Sequence, residues 1–342
     1  MPDPALETEH RTNMTSRVLA LADYAGAFVI EHPAALDAAR EGLIRALSLG
    51  FETLRDPQRA PLIGPIVPGA LMPGGARVPG TSLELEPAQA AFCISLMLCP
   101  ASADHSLVPT RDRAANPLGG ILATADYQAR KASMEGKPPP KVRDLLAAML
   151  KVLEIQGALA ALDEEHEPGT APLRLVRVAV SAVAAAQLGG TVAQIARAVG
   201  YACIDGEMLA HRGARDTMER AGWATADTIG RAVRHACQAT AHGRPSGLTP
   251  DDLEIVRLAG TLLGTGPAFA GTPFGTALID RFAGASRLQE HAQLTGRFQA
   301  AVDRHFPARQ AVRIKALFAA PEQLDDVPVN ELIAALVTNG AV

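Results

Sequence analysis

Nowhere in the 342 residues does a sustained run alternate apolar with polar residues of the β-branched and aromatic types that a half-buried strand needs. The only candidates, such as Ile63 to Val67 and Leu173 to Val178, are short or helix-compatible. Apolar residues recur instead at helical spacing, which predicts helices over 86–98, 118–134, 142–162, 173–188, 192–203 and 224–241. Residues 16–54 read as two amphipathic helices parted at His32-Pro33, because the residue before a proline disfavours the α region. Thr191 with Gln194 three residues on forms a capping box, and Thr249-Pro250 followed by Asp251 and Asp252 is a helix start with proline in the first turn. About two more helices are expected between 288 and 337, and no internal repeat is evident. The expected fold class is all-α.

One stretch breaks the pattern. RDPQRAPLIGPIVPGALMPGGARVPGTSLELEP packs proline and glycine so densely that it reads as an ordered surface meander over 55–86. No helix start follows its glycines as it would in a phosphate-binding loop, so they serve turns. A second lapse, CPASADHSLVPTRDRAANP, is a loop between two buried helices. With 48% apolar residues but only 4% aromatics, the core must be built from Ala, Leu, Val and Ile, and its helices must approach closely through alanine. The length allows either two domains or one helical body with appended segments.

Several function classes drop out. A net charge of −4 without a basic run offers no footprint for nucleic acid. The most apolar segment, 173–188, is interrupted by Arg174 and Arg177, so no membrane span is expected. The N-terminal residues are charged rather than apolar, so no secretory signal is expected and the mature protein should be this chain. Cys93, Cys99, Cys203 and Cys237 form no C-x-x-C pair, which fits reduced thiols in a cytoplasmic protein. The acidic stretch DEEHE at 163–167 reads as a solvated helix end, so no metal site and no cofactor are expected.

The segments LIGPIVPGALMPGGARVPGTSLELEPAQAAFCI, NPLGGILATADY, LEIQGALAAL, YACIDGEMLAHR, GWATADTIGRAVRHA and FPARQAVRI…PVNELI resemble, in order, segments of the MmgE/PrpD family. The resemblance implies a large helical domain and a smaller α+β lid, acting on small polycarboxylates by dehydration, decarboxylation or epimerisation without a metal. In this sequence PFGTALIDRFAGAS passes almost directly to RLQEHAQLTGRF, where the family would place its lid. The expectation is therefore a helical domain over 1–284 and a C-terminal helical tail over 285–342, with the α+β module absent.

Dehydration beside a carboxylate needs a base for the carbon-bound proton, an acid for the leaving hydroxyl and cations for the carboxylates. Carried over residue by residue, the family's acidic D-F-x-D-T segment falls on PASADHSLVP. Ser102 or Ala101 stands there at the first acidic position, and Asp104 keeps the second. The histidine before N-x-L-G-G-I-L is replaced by Arg113, and that of H-E-I-Q-G by Leu153, although Glu154, Ile155, Gln156 and Gly157 remain. The lysine of V-K-V-A is replaced by Arg177, and the lysine just before G-W by Ala221. Arginine keeps its proton at any accessible pH, so Arg113 and Arg177 can bind a carboxylate but cannot shuttle a proton. Losing one general acid or base costs about 10²–10⁴-fold in rate, so the family reaction should be lost.

Each surviving polar residue carries two readings. Glu154 and Gln156 are either substrate-binding, with Arg113 and Arg177, or a polar seam between helices. Asp104 and His105 are either a rebuilt acid/base pair, joined by His211, or solvated loop residues. Asp205 can cap a helix end, His235 can be packed, surface or ligand, and Cys93 and Cys203 read as small core residues. Two functions follow: a diverged lyase or isomerase for a small organic acid, or a catalytically silent scaffold or regulatory partner. In either case the helical domain is expected to form a homodimer, or a heteromer with a related protein.

Overall fold

The computed structural model describes residues 4–99, 117–161, 173–205, 218–263 and 287–338. Its elements in chain order are α1 (Pro4–Ala27), α2 (Pro33–Thr53), a 3-10 turn (Ala60–Leu62), β1 (Ala76–Arg77) and β2 (Glu84–Leu85). Then come α3 (Pro87–Met97), α4 (Leu118–Met134), α5 (Val142–Ala161), α6 (Leu173–Gln187), α7 (Val192–Ile204), α8 (Met218–Thr240) and α9 (Pro250–Leu262). The last four are α10 (Arg287–His305), α11 (Ala308–Phe318), α12 (Pro321–Asp326) and α13 (Val329–Ala335). The fold is all-α, and the only sheet among the described residues is the two-residue antiparallel ladder of β1 and β2 inside the meander.

The bundle is built around α6, whose residues from Leu175 to Ala185 are all buried and which packs against α1, α4, α5, α7 and α8. Alanine at 179, 182, 184 and 185 keeps those neighbours close, as the aromatic-poor composition requires. Glycine does the same at the start of α4. A Cβ on Gly120 would meet Val180 Cγ1 at 2.7 Å and Ile229 Cγ2 at 2.9 Å, and one on Gly119 would overlap Ser95 of α3. The pair Gly119-Gly120 thus lets α3, α6 and α8 converge on the start of α4, at the expense of helix propensity. In the meander, a Cβ on Gly75 would run into the Leu85 carbonyl, so only glycine fits beside the ladder.

The structure differs from the sequence reading at three places. Helix α1 begins at Pro4 rather than near Ser16, and α8 begins at Met218 rather than Ala224. The tail holds four helices, because Pro307, Pro321 and Pro328 each open a new one at the N-cap or first position instead of interrupting an old one. The two expected helix starts hold. Gln194 N–H donates to Thr191 Oγ1 at 3.2 Å, and Asp252 N–H donates to Thr249 Oγ1 at the same length.

The tail packs into the body's core. Phe298, Phe306, Ile314, Leu332 and Ile333 belong to the same buried cluster as the body helices. Main-chain bonds join the two: Val142 N–H to Val327 O and Val329 N–H to Pro140 O, both 2.9 Å, and Thr338 N–H to Thr81 O at 3.1 Å. Arg40 of α2 donates from Nη2 to Asp325 Oδ2 at 2.9 Å. Arg77 of β1 holds the buried Asp126 of α4 through its main-chain N–H at 2.8 Å and its Nη2 at 2.6 Å, and also donates to Asn330 O at 2.6 Å. Among the described residues no helix is long and apolar enough to cross a membrane.

Candidate functional site

The contacts define one pole of the bundle. Gly119 at the start of α4 touches Ser95 near the end of α3, and Gly222 near the start of α8 lies against Cys99 just past α3. Helices α6 and α8 run alongside in the same direction: Ser181 Oγ donates to Ala232 O at 3.2 Å, and Gly190 just past α6 abuts Thr240 at the end of α8. The start of α6 meets the end of α7 at this pole, where Arg177 Nε donates to Ala202 O at 2.8 Å. Asp104, His105, Arg113 and His211 lie outside the described residues. The described ends that flank them, Cys99 with Pro117 and Asp205 with Met218, belong to helices that end or start here. The position of Ala221 falls in the first turn of α8.

Helix α5 carries the E-I-Q-G wall. Glu154 is 6% exposed and Gln156 4%, and neither Glu154 Oε2 nor either amide atom of Gln156 has a hydrogen-bond partner among the described residues. Removal from water disfavours the charged carboxylate, and no described group opposes it, so the Glu154 carboxyl is pushed up to about 7. A carboxyl poised there exchanges its proton close to neutral pH, as a general acid or base must. Leu153 beside it is half-buried and offers no proton.

Arg177 is buried, 4% exposed, and tied into the protein. Besides Ala202 O, its Nη1 lies 3.8 Å from Asp205 Oδ2, so the guanidinium braces the start of α6 against the last turn of α7. Asp205 takes up more than the helix-capping role that its place after α7 suggests. Arg231 of α8 grips it with a fork, Nε to Oδ2 at 2.8 Å and Nη2 to Oδ1, and His235 Nε2 lies 3.0 Å from the same Oδ2. Burial works against the Asp205 charge, but the bonds from Arg231 and His235 outweigh it and hold the carboxyl below its usual range. This junction escaped the sequence reading because its members sit 26 and 30 residues apart on helices that share no periodicity. The available signals were Asp205 directly before a glycine at a predicted helix end and His235 on an amphipathic helix, with nothing to join them.

Among the described residues no three His, Cys, Asp or Glu side chains are grouped so as to hold a metal ion. All four cysteines are free thiols. Burial pushes Cys93 up to about 11 and Cys203 and Cys237 up to about 12, which makes them inert packing residues rather than nucleophiles.

Comparison with known proteins meets this geometry from another side. The profile of the MmgE/PrpD N-terminal domain matches residues 19–246, which span the last part of α1 through α8. A 2-methylcitrate dehydratase from Salmonella typhi is 40% identical over 243 residues, 70% of this chain and 50% of the relative. One from Cupriavidus necator is 40% identical over 233 residues, 67% of this chain and 48% of the relative. A mitochondrial 2-methylcitrate dehydratase from Yarrowia lipolytica is 38% identical over 230 residues, 66% of this chain and 44% of the relative. The chain thus spans about half the length of the curated relatives it matches, and helices α9 to α13 lie beyond the residues that the family profile matches.

Proposed function

The chain belongs to the MmgE/PrpD family, and from that premise we propose that it is a lyase- or isomerase-type member that acts on a small organic acid but has lost 2-methylcitrate dehydration. The observation that carries this reading is the Glu154 carboxyl, buried without a partner among the described residues and pushed up to about 7. In this reading Glu154 moves the proton and Gln156 orients the substrate by hydrogen bonds. Arg177 contributes positive potential through its place beside Asp205, and Arg113 receives a carboxylate. Asp104, His105 and His211 supply the remaining proton transfers, in the segments that start from the same pole. The family's reaction is lost because Leu153, Arg177 and Ala221 stand where proton carriers are needed. No cofactor or metal enters this scheme, and the free thiols support placing the protein in the cytoplasm. The body over 1–284 and the tail over 285–342 follow one another in this reading without the α+β module.

The test is a turnover screen. With 2-methylcitrate no unsaturated product should appear in ultraviolet absorbance. One or more smaller hydroxy acids or unsaturated acids should be turned over, and Glu154→Gln should lower that rate about 10²–10⁴-fold. Turnover of 2-methylcitrate at roughly 1–10³ s⁻¹ would overturn the loss of the family reaction. Absence of turnover and of any ligand-induced thermal shift across the screen would overturn the enzyme reading.

One observation favours the scaffold reading. The meander and the end of α4 expose Ile66 (84%), Val67, Leu71 and Met134 (79%), apolar side chains of the kind that association buries. We propose on this ground that the protein forms a homodimer, or a heteromer with a related chain. Light scattering at several concentrations should return a mass above 35.7 kDa, and a constant monomer mass would remove the homodimer.

A further inference from the structure

Glycine inside a helix is less favourable than alanine, and several glycines of the body show why it is kept. A Cβ on Gly50 of α2, Gly120 of α4, Gly200 of α7 or Gly230 of α8 would come within 3.1 Å of an atom of a neighbouring helix. Gly157 of α5 has no such neighbour. A Cβ there would have no heavy atom of a described residue within 4 Å, its chain neighbours and the helix backbone apart. Gly296 of α10 is open as well, but it lies on an exposed stretch where an alanine would meet water. Gly157 is half-buried, with the buried Gln156 before it and the buried Leu159 shortly after.

Helix geometry says where this space lies. Side chains lean toward the N-terminus of their helix, so a side chain at 157 would cover the turn before it, over 153 and 154. Its absence leaves bare the turn that carries Glu154, whose Oε2 has no hydrogen-bond partner among the described residues. The two positions are one turn apart and share a face of α5. The chemistry of the space is equally defined. Burial is what raises the Glu154 carboxyl, with no described charge to offset it. Surroundings that disfavour a charge on Glu154 disfavour one on anything set beside it, so a fitting partner for Oε2 is an uncharged donor or acceptor, such as a hydroxyl, a carbonyl or an amide.

We propose that Gly157 is a specificity-determining position: the space that its missing side chain leaves over Glu154 seats an uncharged polar group of a ligand, and the residue at 157 sets how large that group can be. The inference rests on the reading of α5 as a ligand-binding wall, and it adds which part of the ligand meets Glu154. Any ionised part of the same ligand is held away from it.

The experiment uses the full chain with its glutamates ¹³C-labelled at the side-chain carboxyl, the Glu154 signal being assigned by its loss in Glu154→Gln. The probes are acetamide, isobutyramide and acetate. Acetate has the shape of acetamide with a charge, and isobutyramide enlarges the apolar end. At mildly acidic pH acetamide should shift the Glu154 signal saturably and bind at least about tenfold more tightly than acetate. Gly157→Ala should weaken isobutyramide about tenfold more than acetamide, and Gly157→Leu should abolish the binding of both. Because no described group fills the space, Gly157→Ala should also raise the folding constant about two- to fivefold in urea unfolding. Gly296→Ala should raise it similarly and leave probe binding unchanged. A fall in the folding constant with Gly157→Ala would show that the chain itself fills the space, and would overturn the proposal. So would no shift with any probe, acetate binding as tightly as acetamide, or probe binding indifferent to Gly157→Leu. None of these readings involves turnover, so the catalytic reading fails in the substrate screen and this one fails here.

Discussion

Replacing Glu154 by glutamine should stabilise the protein, and should do so only above acidic pH. The carboxyl is 6% exposed, has an oxygen without a partner among the described residues, and is raised from 4.5 to about 7 by burial. A carboxyl whose folded value is raised suffers no penalty below pH 4.5, where it is protonated in both states. Between 4.5 and 7 the unfolded chain gives up the proton and the folded chain keeps it, so stability falls with rising pH, and above 7 the loss is constant. At about 1.4 kcal/mol per tenfold change in proton affinity, that interval amounts to roughly 3 kcal/mol, with the native state's ability to admit water lowering it toward 2. Such a term is a substantial part of the roughly 5–15 kcal/mol that holds a domain together. Glutamine has the shape of the protonated acid and cannot ionise. The difference between the variant and the original protein, from urea unfolding at a series of pH values, should be near zero at pH 4, rise through 5 to 7 and level off at about 2–3 kcal/mol in favour of glutamine. A difference that stays flat from pH 4 to 8 would show that Glu154 gives up its proton in the folded protein as readily as in the unfolded chain. It would also remove the proton carrier from the proposed mechanism.

Two further outcomes test the frame around that site. Asp126→Asn breaks a buried ion pair that joins α4 to β1 and, through Arg77 and Asn330, to the tail, so it should cost about 3–5 kcal/mol in urea unfolding and expose 287–338 to limited proteolysis. A loss below about 1 kcal/mol, with the tail still protected, would count against that linkage. Cys93, Cys203 and Cys237, raised to between about 11 and 12, should resist a thiol-disulfide reagent at pH 8 in the native protein and react promptly once it is unfolded. Native labelling within seconds would contradict their burial.

The helices were legible because their signals are local. His32-Pro33 parts α1 from α2, and Thr191 with Gln194 opens α7 at the predicted residue. The missed boundaries in the tail are local too, but ambiguous: Pro307, Pro321 and Pro328 break an old helix and start a new one with the same ring. The site was legible only as residue types at positions. That Arg177 cannot shuttle a proton follows from its chemistry. That it braces Ala202 and Asp205, at positions 25 and 28 residues on, follows from packing that no spacing encodes. Glu154 was readable as a polar residue among apolar neighbours. Whether it had a partner decides between a structural seam and a poised acid, and that depends on the surfaces around α5.

Two buried polar clusters make the same distinction in a different way. In the interior of α7, Arg197 is 1% exposed and all five of its N–H groups are used. Two go to Asp252, both at 2.8 Å, and the others to the carbonyls of Ala239, Pro245 and Gly247. That is what burial of a charge demands when stability is the only requirement, and it locks α7, α8 and α9 together. The wall on α5 does the opposite, keeping a carboxyl oxygen of Glu154 and a whole amide of Gln156 without partners among the described residues. A chain that satisfies a buried guanidinium completely on α7 has the means to satisfy a buried amide on α5. Three such atoms on two neighbouring residues of α5, in a core otherwise built of Ala, Leu, Val and Ile, support the proposal that this wall serves something other than its own packing.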